Sequence, residues 1–247
     1  MTTLMMTTTI NNDEDVYVDG SSVELSVSST SGGNFENLVT TDTSTVTVND
    51  TIGTTTVTLA SSDVNEGADI TITASVDNAP QTDLVVTLSN GETLTVVAGA
   101  TSGSVTFTNP NADDAYVDGE TLTYAITGTT GGNYESLNTA STVDVVVSDT
   151  IDPSTATLSS AIDGNEDAAT VTYTVTLSTA PTNNETFTFD VDGVARTITV
   201  LAGATTGTLQ VTYSEADVFV DTDTVGVASN FVASDVNGAS DYESLTL

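Results

Sequence analysis

Apolar and polar residues alternate one for one along much of the chain. Ile70, Ile72, Ala74 and Val76 alternate with Thr71, Thr73, Ser75 and Asp77, and Leu122, Tyr124 and Ile126 alternate with Thr121, Thr123, Ala125 and Thr127. Val171, Tyr173, Val175 and Leu177 stand in the same way against Thr172, Thr174, Thr176 and Ser178. A period of two is that of a strand with one face buried and one wet. The outward residues are mostly Thr, which is β-branched and stays soluble on a strand. No segment carries a 3.6-residue apolar period. Strands are predicted near residues 55–60, 69–76, 83–88, 93–97, 103–108, 120–127 and 141–148. Asn90-Gly91 and Asp192-Gly193 fall between alternating runs and predict hairpins with type I′ turns. Short strands at this spacing predict an all-β chain built as two-sheet sandwiches of immunoglobulin type.

The pattern is copied in tandem. Asp15-Val-Tyr17-Val-Asp19-Gly20 returns as Asp114-Ala-Tyr116-Val-Asp118-Gly119, 99 residues on, and Gly32-Gly-Asn-Phe-Glu36 returns as Gly131-Gly-Asn-Tyr-Glu135. Ala98-Gly-Ala-Thr-Ser-Gly103 recurs as Ala202-Gly-Ala-Thr-Thr-Gly207. A unit of about 100 residues is a whole domain, longer than a solenoid repeat. Aligned on that unit, residues 1–50 are the C-terminal part of a repeat, 51–149 a complete repeat, and 150–247 a repeat that stops before its last strand. After Tyr134-Glu-Ser-Leu137 the middle repeat continues into Asn138-Thr-Ala-Ser-Thr-Val-Asp-Val-Val-Val147, its last strand. After the matching Tyr242-Glu-Ser-Leu245 only Thr246 and Leu247 follow. An open sandwich edge of that kind exposes unpaired backbone, so strand donation between identical chains is one expectation.

Composition removes most chemistry. The chain has no His and no Cys, its one cation is Arg196, and 35 Asp and Glu give a net charge of −34. His-activated nucleophiles, Schiff-base lysines, thiolate metal sites and arginine clamps on phosphate are all missing their residues. A carboxylate pair could serve glycoside hydrolysis, but there is no Trp to line a sugar site; the expectation is a protein that is not an enzyme. The charge repels nucleic acid and anionic membranes. No apolar run reaches membrane-helix length, and Met1–Met6 lacks the basic start and apolar core of a signal peptide.

The acids cluster in turns. In the middle repeat they gather as Asp63 and Glu66, as Asp113, Asp114, Asp118 and Glu120, and as Asp149 and Asp152. The third repeat has Asp163, Glu166 and Asp167, then Glu215, Asp217, Asp221 and Asp223; the first has Asp13, Glu14, Asp15, Asp19 and Asp50. In a sandwich these turns meet at one end, at the joint between repeats. Carboxylates gathered without Lys or Arg repel one another, and a hard cation with six to eight oxygen ligands relieves that repulsion. Calcium fits the donor set, whereas zinc and copper favour His or Cys.

Val86-Thr-Leu-Ser-Asn-Gly91, Ala98-Gly-Ala-Thr-Ser-Gly103, Asp113-Asp-Ala-Tyr-Val-Asp118, Gly131-Gly-Asn-Tyr-Glu135 and Ser148-Asp-Thr-Ile-Asp152 together resemble the immunoglobulin-like extender repeats of giant RTX-type bacterial adhesins. Val64-Asn-Glu-Gly67 is similar to the Calx-beta variant of the sandwich. The resemblance implies a secreted, cell-surface spacer in adhesion and biofilm formation, exported by type I secretion and stiffened by calcium at its linkers. Carried over by position, it implies Glu66, Asp114, Asp118, Asp149 and Asp152 as calcium ligands of the middle joint. Glu166, Asp217 and Asp221 are their counterparts in the third repeat, and Asp15, Asp19 and Asp50 in the first. Gly53 stands where Asp152 does, and Asp163-Gly-Asn-Glu-Asp167 shifts its acids by a residue. The partners expected are calcium ions and neighbouring repeats, or identical chains head to tail. The alternative function is a subunit of a self-assembling extracellular filament or surface layer. Tyr17, Tyr116 and Tyr134 occupy repeated positions and are expected to be structural, not a sugar-stacking platform.

Overall fold

The computed structural model describes residues 7, 9, 13–165, 168–214, 226–234 and 241–247. Among these residues every regular element is a strand, so the expected all-β architecture of stacked sheets holds. The chain divides into two compact units. One comprises Met1–Ser62, Asp69–Phe107 and Leu122–Val145, the other Asp63–Ala68, Thr108–Thr121 and Val146–Leu247.

In the first unit β1 (Ser21–Ser26) and β2 (Thr43–Val48) form a two-stranded antiparallel ribbon, with Val23 opposite Val46. Next come β3 (Thr54–Ser61), β4 (Val64–Asn65), β5 (Ile70–Val76), β6 (Leu84–Leu88), β7 (Thr93–Val96), β8 (Ser102–Phe107), β9 (Glu120–Gly131), β10 (Ser136–Asn138) and β11 (Thr142–Ser148). They make one sheet in the order β10-β3-β5-β8 and another in the order β4-β11-β9-β6-β7. Ile70, Ile72 and Ala74 of β5 and Leu84, Val86 and Leu88 of β6 are buried, as alternation requires. Each of the Ile, Leu and Val side chains contributes roughly 1.5–3 kcal/mol when removed from water. Two short strands escape the alternation rule. Both β4 and β10 pair in parallel, Val64 with Val147 and Ser136 with Thr54, and neither is long enough to carry a period.

The second unit takes in β4, the start of β9 and the end of β11, and holds β12 (Pro153–Asn165), β13 (Ala168–Leu177), β14 (Glu185–Val191), β15 (Val194–Val200), β16 (Thr206–Tyr213), β17 (Ala228–Ser234) and β18 (Ser244–Thr246). The sheets are β16-β13-β12-β18 and β15-β14-β17. Their core contains Val171, Tyr173, Val175, Phe187, Phe189, Ile198 and Val200, with Phe187 stacked on Phe231 at 5.5 Å between ring centroids.

The two hairpins differ from each other. Asp192 and Gly193 both have positive φ, 52° and 76°, and Val191 pairs with Val194, which is the expected type I′ turn. At the first hairpin only Gly91 is left-handed, at 89°; the Gly91 N–H donates to the Leu88 carbonyl and the Leu88 N–H to Glu92. The type I′ reading of Asn90-Gly91 is therefore corrected. Asn90 stays at negative φ, and the glycine occupies the left-handed position after a type I turn.

Candidate metal site at the repeat joints

Two joints are built on one pattern. In the first unit the Tyr17 N–H donates to Asp15 Oδ1 at 2.7 Å, and in the second the Tyr116 N–H donates to Asp114 Oδ1 at 2.8 Å. These Asx turns present the tyrosine to the next repeat. Tyr17 bridges to Tyr134 and Tyr116 to Tyr242, each as an isolated antiparallel bridge. The ring pairs stack at 5.5 and 5.9 Å, with interplanar angles of 26° and 25°. Every phenol then caps a backbone carbonyl. Tyr116 donates to Ala180 at 2.5 Å, Tyr134 to Asn78 at 2.5 Å, Tyr242 to Thr179 at 2.7 Å and Tyr17 to Ala79. Burial, with Tyr17 second, pushes the Tyr134 phenol up to about 12. The tyrosines are structural, as their repetition suggested.

The acids surround these clasps. Carboxylate oxygens of Glu66, Asp118 and Asp149 lie within 4.8 Å of one another in the second unit, and those of Asp13, Asp15 and Asp19 do so in the first. Glu66 reaches the group because β4 leaves the first sheet to pair with β11, and Glu66 N–H then bonds the Ser148 carbonyl at 3.0 Å. Gly67, at φ 68°, allows the turn, and a side chain there would strike Asp113. Gly119 opens the space on the other side: a Cβ would meet Asp149 Oδ1 at 3.0 Å and the Val147 carbonyl at 3.1 Å.

Glu66 is only 4% exposed. Its Oε1 accepts from the Thr150 N–H at 2.6 Å, and the Thr150 hydroxyl donates to Asp113 at 2.5 Å. Among the described residues, the buried side-chain oxygens without a hydrogen-bond partner include Glu66 Oε2, Asp149 Oδ1 and Glu243 Oε1, and at the other joint Glu135 Oε1. Buried polar groups are rarely left so, and here they are carboxylates in groups. These donors are all hard oxygens, the set that suits a hard cation.

Glu135 and Glu243 are the residues that sequence reasoning passed over. Glu135 Oε2 accepts from the Gly53 N–H and Glu243 Oε2 from the Asp152 N–H, both at 2.6 Å. These amides hold each carboxyl down, yet desolvation and neighbouring acids outweigh them: Asp50 and Asp15 raise Glu135, and Glu66 and Asp149 raise Glu243. Asp19 is raised by desolvation and then by Asp50, Asp15 and Asp13. Asp50 moves the other way, held low first by the Asp19 N–H at 3.0 Å and then by Glu135. The signal was present in the chain: the acid that follows the tyrosine in Asn133-Tyr134-Glu135 and again in Asp241-Tyr242-Glu243.

Of the residues implied by resemblance, Glu66, Asp118 and Asp149 come together at one joint, and Asp15 and Asp19 at the other, with Asp50 beside Asp19. Asp114 is engaged with the Tyr116 amide. Asp152 meets Glu243 through its backbone N–H, the same service Gly53 performs for Glu135, which explains how glycine can replace aspartate there. Asp63 accepts from the Val146 N–H at 3.0 Å, away from the cluster. Glu166, Asp217 and Asp221 lie outside the described residues.

No curated protein matches the sequence. Among solved structures, a chain from a 1.5-MDa bacterial ice-binding adhesin, studied for its retention at the host cell surface, aligns with 76% of this chain at 18% identity and a TM-score of 0.23. The alignment spans 64% of that chain's length. No helix among the described residues is long and apolar enough to cross a membrane. The LapA domain matches residues 1–51, 53–150 and 152–246 in three successive copies, so the chain belongs to the LapA domain family, a family of large adhesins.

Proposed function

We propose that the chain is an extender of a bacterial cell-surface adhesin, a non-enzymatic run of immunoglobulin-like repeats whose joints bind calcium and stiffen. The observation that carries this reading is the carboxylate group Glu66, Asp118 and Asp149 with Glu243 beside it, in which Glu66 Oε2, Asp149 Oδ1 and Glu243 Oε1 are buried without hydrogen-bond partners. Calcium would be held there by Glu66, Asp118, Asp149 and Glu243, and at the first joint by Asp13, Asp15 and Asp19. The ion supplies positive charge where the chain has only negative charge. Where free calcium is scarce, the acids push the joints apart, a state suited to export. Outside the cell, millimolar calcium draws them together and fixes the clasps. The result is a stiff spacer that carries a distal binding region away from the surface and supports biofilm formation.

Thermal unfolding in millimolar calcium and in EDTA tests the reading. At a hundredfold excess over Kd each site adds roughly 2.7 kcal/mol, a large part of a domain's stability. Equal midpoints in the two buffers overturn it.

A further inference from the structure

The two tyrosine clasps, one in each compact unit, share a geometry that sets their phenols side by side. Two backbone bonds flank the bridge between Tyr17 and Tyr134: the Val18 N–H donates to Asn133 at 3.1 Å and the Glu135 N–H to Val16 at 3.0 Å. Tyr116 and Tyr242 are flanked alike, by the Val117 N–H on Asp241 at 3.0 Å and the Glu243 N–H on Ala115 at 3.2 Å. Both pairs therefore occupy the non-hydrogen-bonded position of an antiparallel pairing, where opposite side chains stand closest. The ring tips are held in register as well. Tyr134 and Tyr17 donate to the carbonyls of Asn78 and Ala79, and Tyr242 and Tyr116 to those of Thr179 and Ala180, consecutive residues in each case. The two hydroxyls of a pair are thus neighbours.

The rings do not lie face on face. Their centroids are 5.5 and 5.9 Å apart at 26° and 25° between planes, well beyond the separation of about 3.5–4.0 Å at which carbons touch, so each pair is offset. Offset rings with adjacent hydroxyls bring together the edges that carry the carbons ortho to oxygen. Tyr242 is buried, but Tyr17, Tyr116 and Tyr134 are half-buried, so each pair keeps a ring within reach of solvent.

We propose that each clasp is a site of oxidative coupling, at which Tyr17 joins Tyr134 and Tyr116 joins Tyr242 by a carbon–carbon bond between ortho positions. The co-reactant is hydrogen peroxide, used through a haem peroxidase. Each phenol gives up one electron and its O–H proton, the two ortho carbons bond, and each ortho hydrogen moves to the oxygen of its own ring and restores the phenol. The two electrons and two protons reduce one peroxide to two waters. The bond fastens one repeat to the next covalently, and it does not rest on an ion at the joint. To test this, the full chain, dilute enough to disfavour links between chains, is treated with haem peroxidase and hydrogen peroxide in calcium and in EDTA. Cleavage after Glu and tandem mass spectrometry then locate the joined peptides. The monomer is expected to lose the mass of two hydrogens per link and to gain the fluorescence of a biphenol. Residues 15–24 should be joined to 121–135 through Tyr17 and Tyr134, and 93–120 to 216–243 through Tyr116 and Tyr242. Tyr17→Phe should abolish the first link and leave the second, and Tyr116→Phe the reverse. Clasp links in either buffer support the proposal, so its outcome is separate from that of the calcium reading. No link within the chain in either buffer overturns it. Links that fall as often on Tyr124, Tyr173 or Tyr213, or that form equally in urea-unfolded chain, overturn it too.

Discussion

Glu66→Gln separates a cation site from an ordinary buried acid because its effect should reverse sign with calcium. The amide keeps an oxygen for the Thr150 N–H, now met by Glu66 Oε1 at 2.6 Å, and removes one charge from a group whose oxygens lie within 4.8 Å. At that separation a like-charge pair costs about 1 kcal/mol at the dielectric of water and about 3 kcal/mol at an effective value near 20. Glu66 is buried while Asp118 is exposed and Asp149 half-buried, so relief of about 2 kcal/mol in EDTA is expected. For a domain of this size that raises the midpoint by roughly 10 °C. In calcium the substitution removes a charged ligand, and the variant should melt below the parent. Differential scanning calorimetry of both proteins in both buffers gives the four midpoints. If Glu66→Gln destabilises equally in EDTA and in calcium, Glu66 is a structural acceptor and the cluster is not a cation site.

The pH response follows from the same acids. Glu135, Glu243 and Asp19 are raised in the folded state, so in EDTA their protonation favours folding: stability should grow as pH falls from neutral towards the ordinary carboxylate values of 3.8–4.5. Asp50 and Asp241 are held low, Asp241 chiefly by Asn183, and their contribution is lost as pH falls below 3.8. Chemical denaturation across that range should show a maximum in EDTA that calcium flattens; a steady decline from neutral pH sinks the argument. Tyr116→Phe removes a phenol that donates to Ala180 at 2.5 Å, and a loss of about 1 kcal/mol is expected in urea unfolding. Tyr17→Phe should match it, since its phenol meets Ala79 at the equivalent place in the other clasp; a difference of more than about 1 kcal/mol would break the equivalence of the joints.

Alternation made the long strands legible: β5, β6, β13 and β14 bury the residues that the period of two selects. It could not reveal β4 and β10, whose two and three residues are placed by partners that lie far off in the sequence. The acid clusters were legible because turns repeat and Asp stands out in them. Glu135 and Glu243 were not legible because the role of each depends on a backbone amide at the start of its own repeat, 82 and 91 residues earlier in the chain. At Asp152 the structure adds a contact that spacing does not carry, the N–H bond to Glu243. Spacing shows where a residue stands, not whether its side chain or its N–H does the work.

The parallel pairing of the middle repeat's first and last strands has a mechanical meaning. Val64 and Asn65 lie beside Val147 and Ser148, and Glu66 N–H bonds Ser148. Because the two strands run the same way, tension on a chain held at both ends slides one along the other. The bonds between them are then loaded together in shear and cannot be peeled one at a time. The calcium proposed at this seam would sit across the same sliding plane, between Glu66 after the entering strand and Asp149 after the departing one.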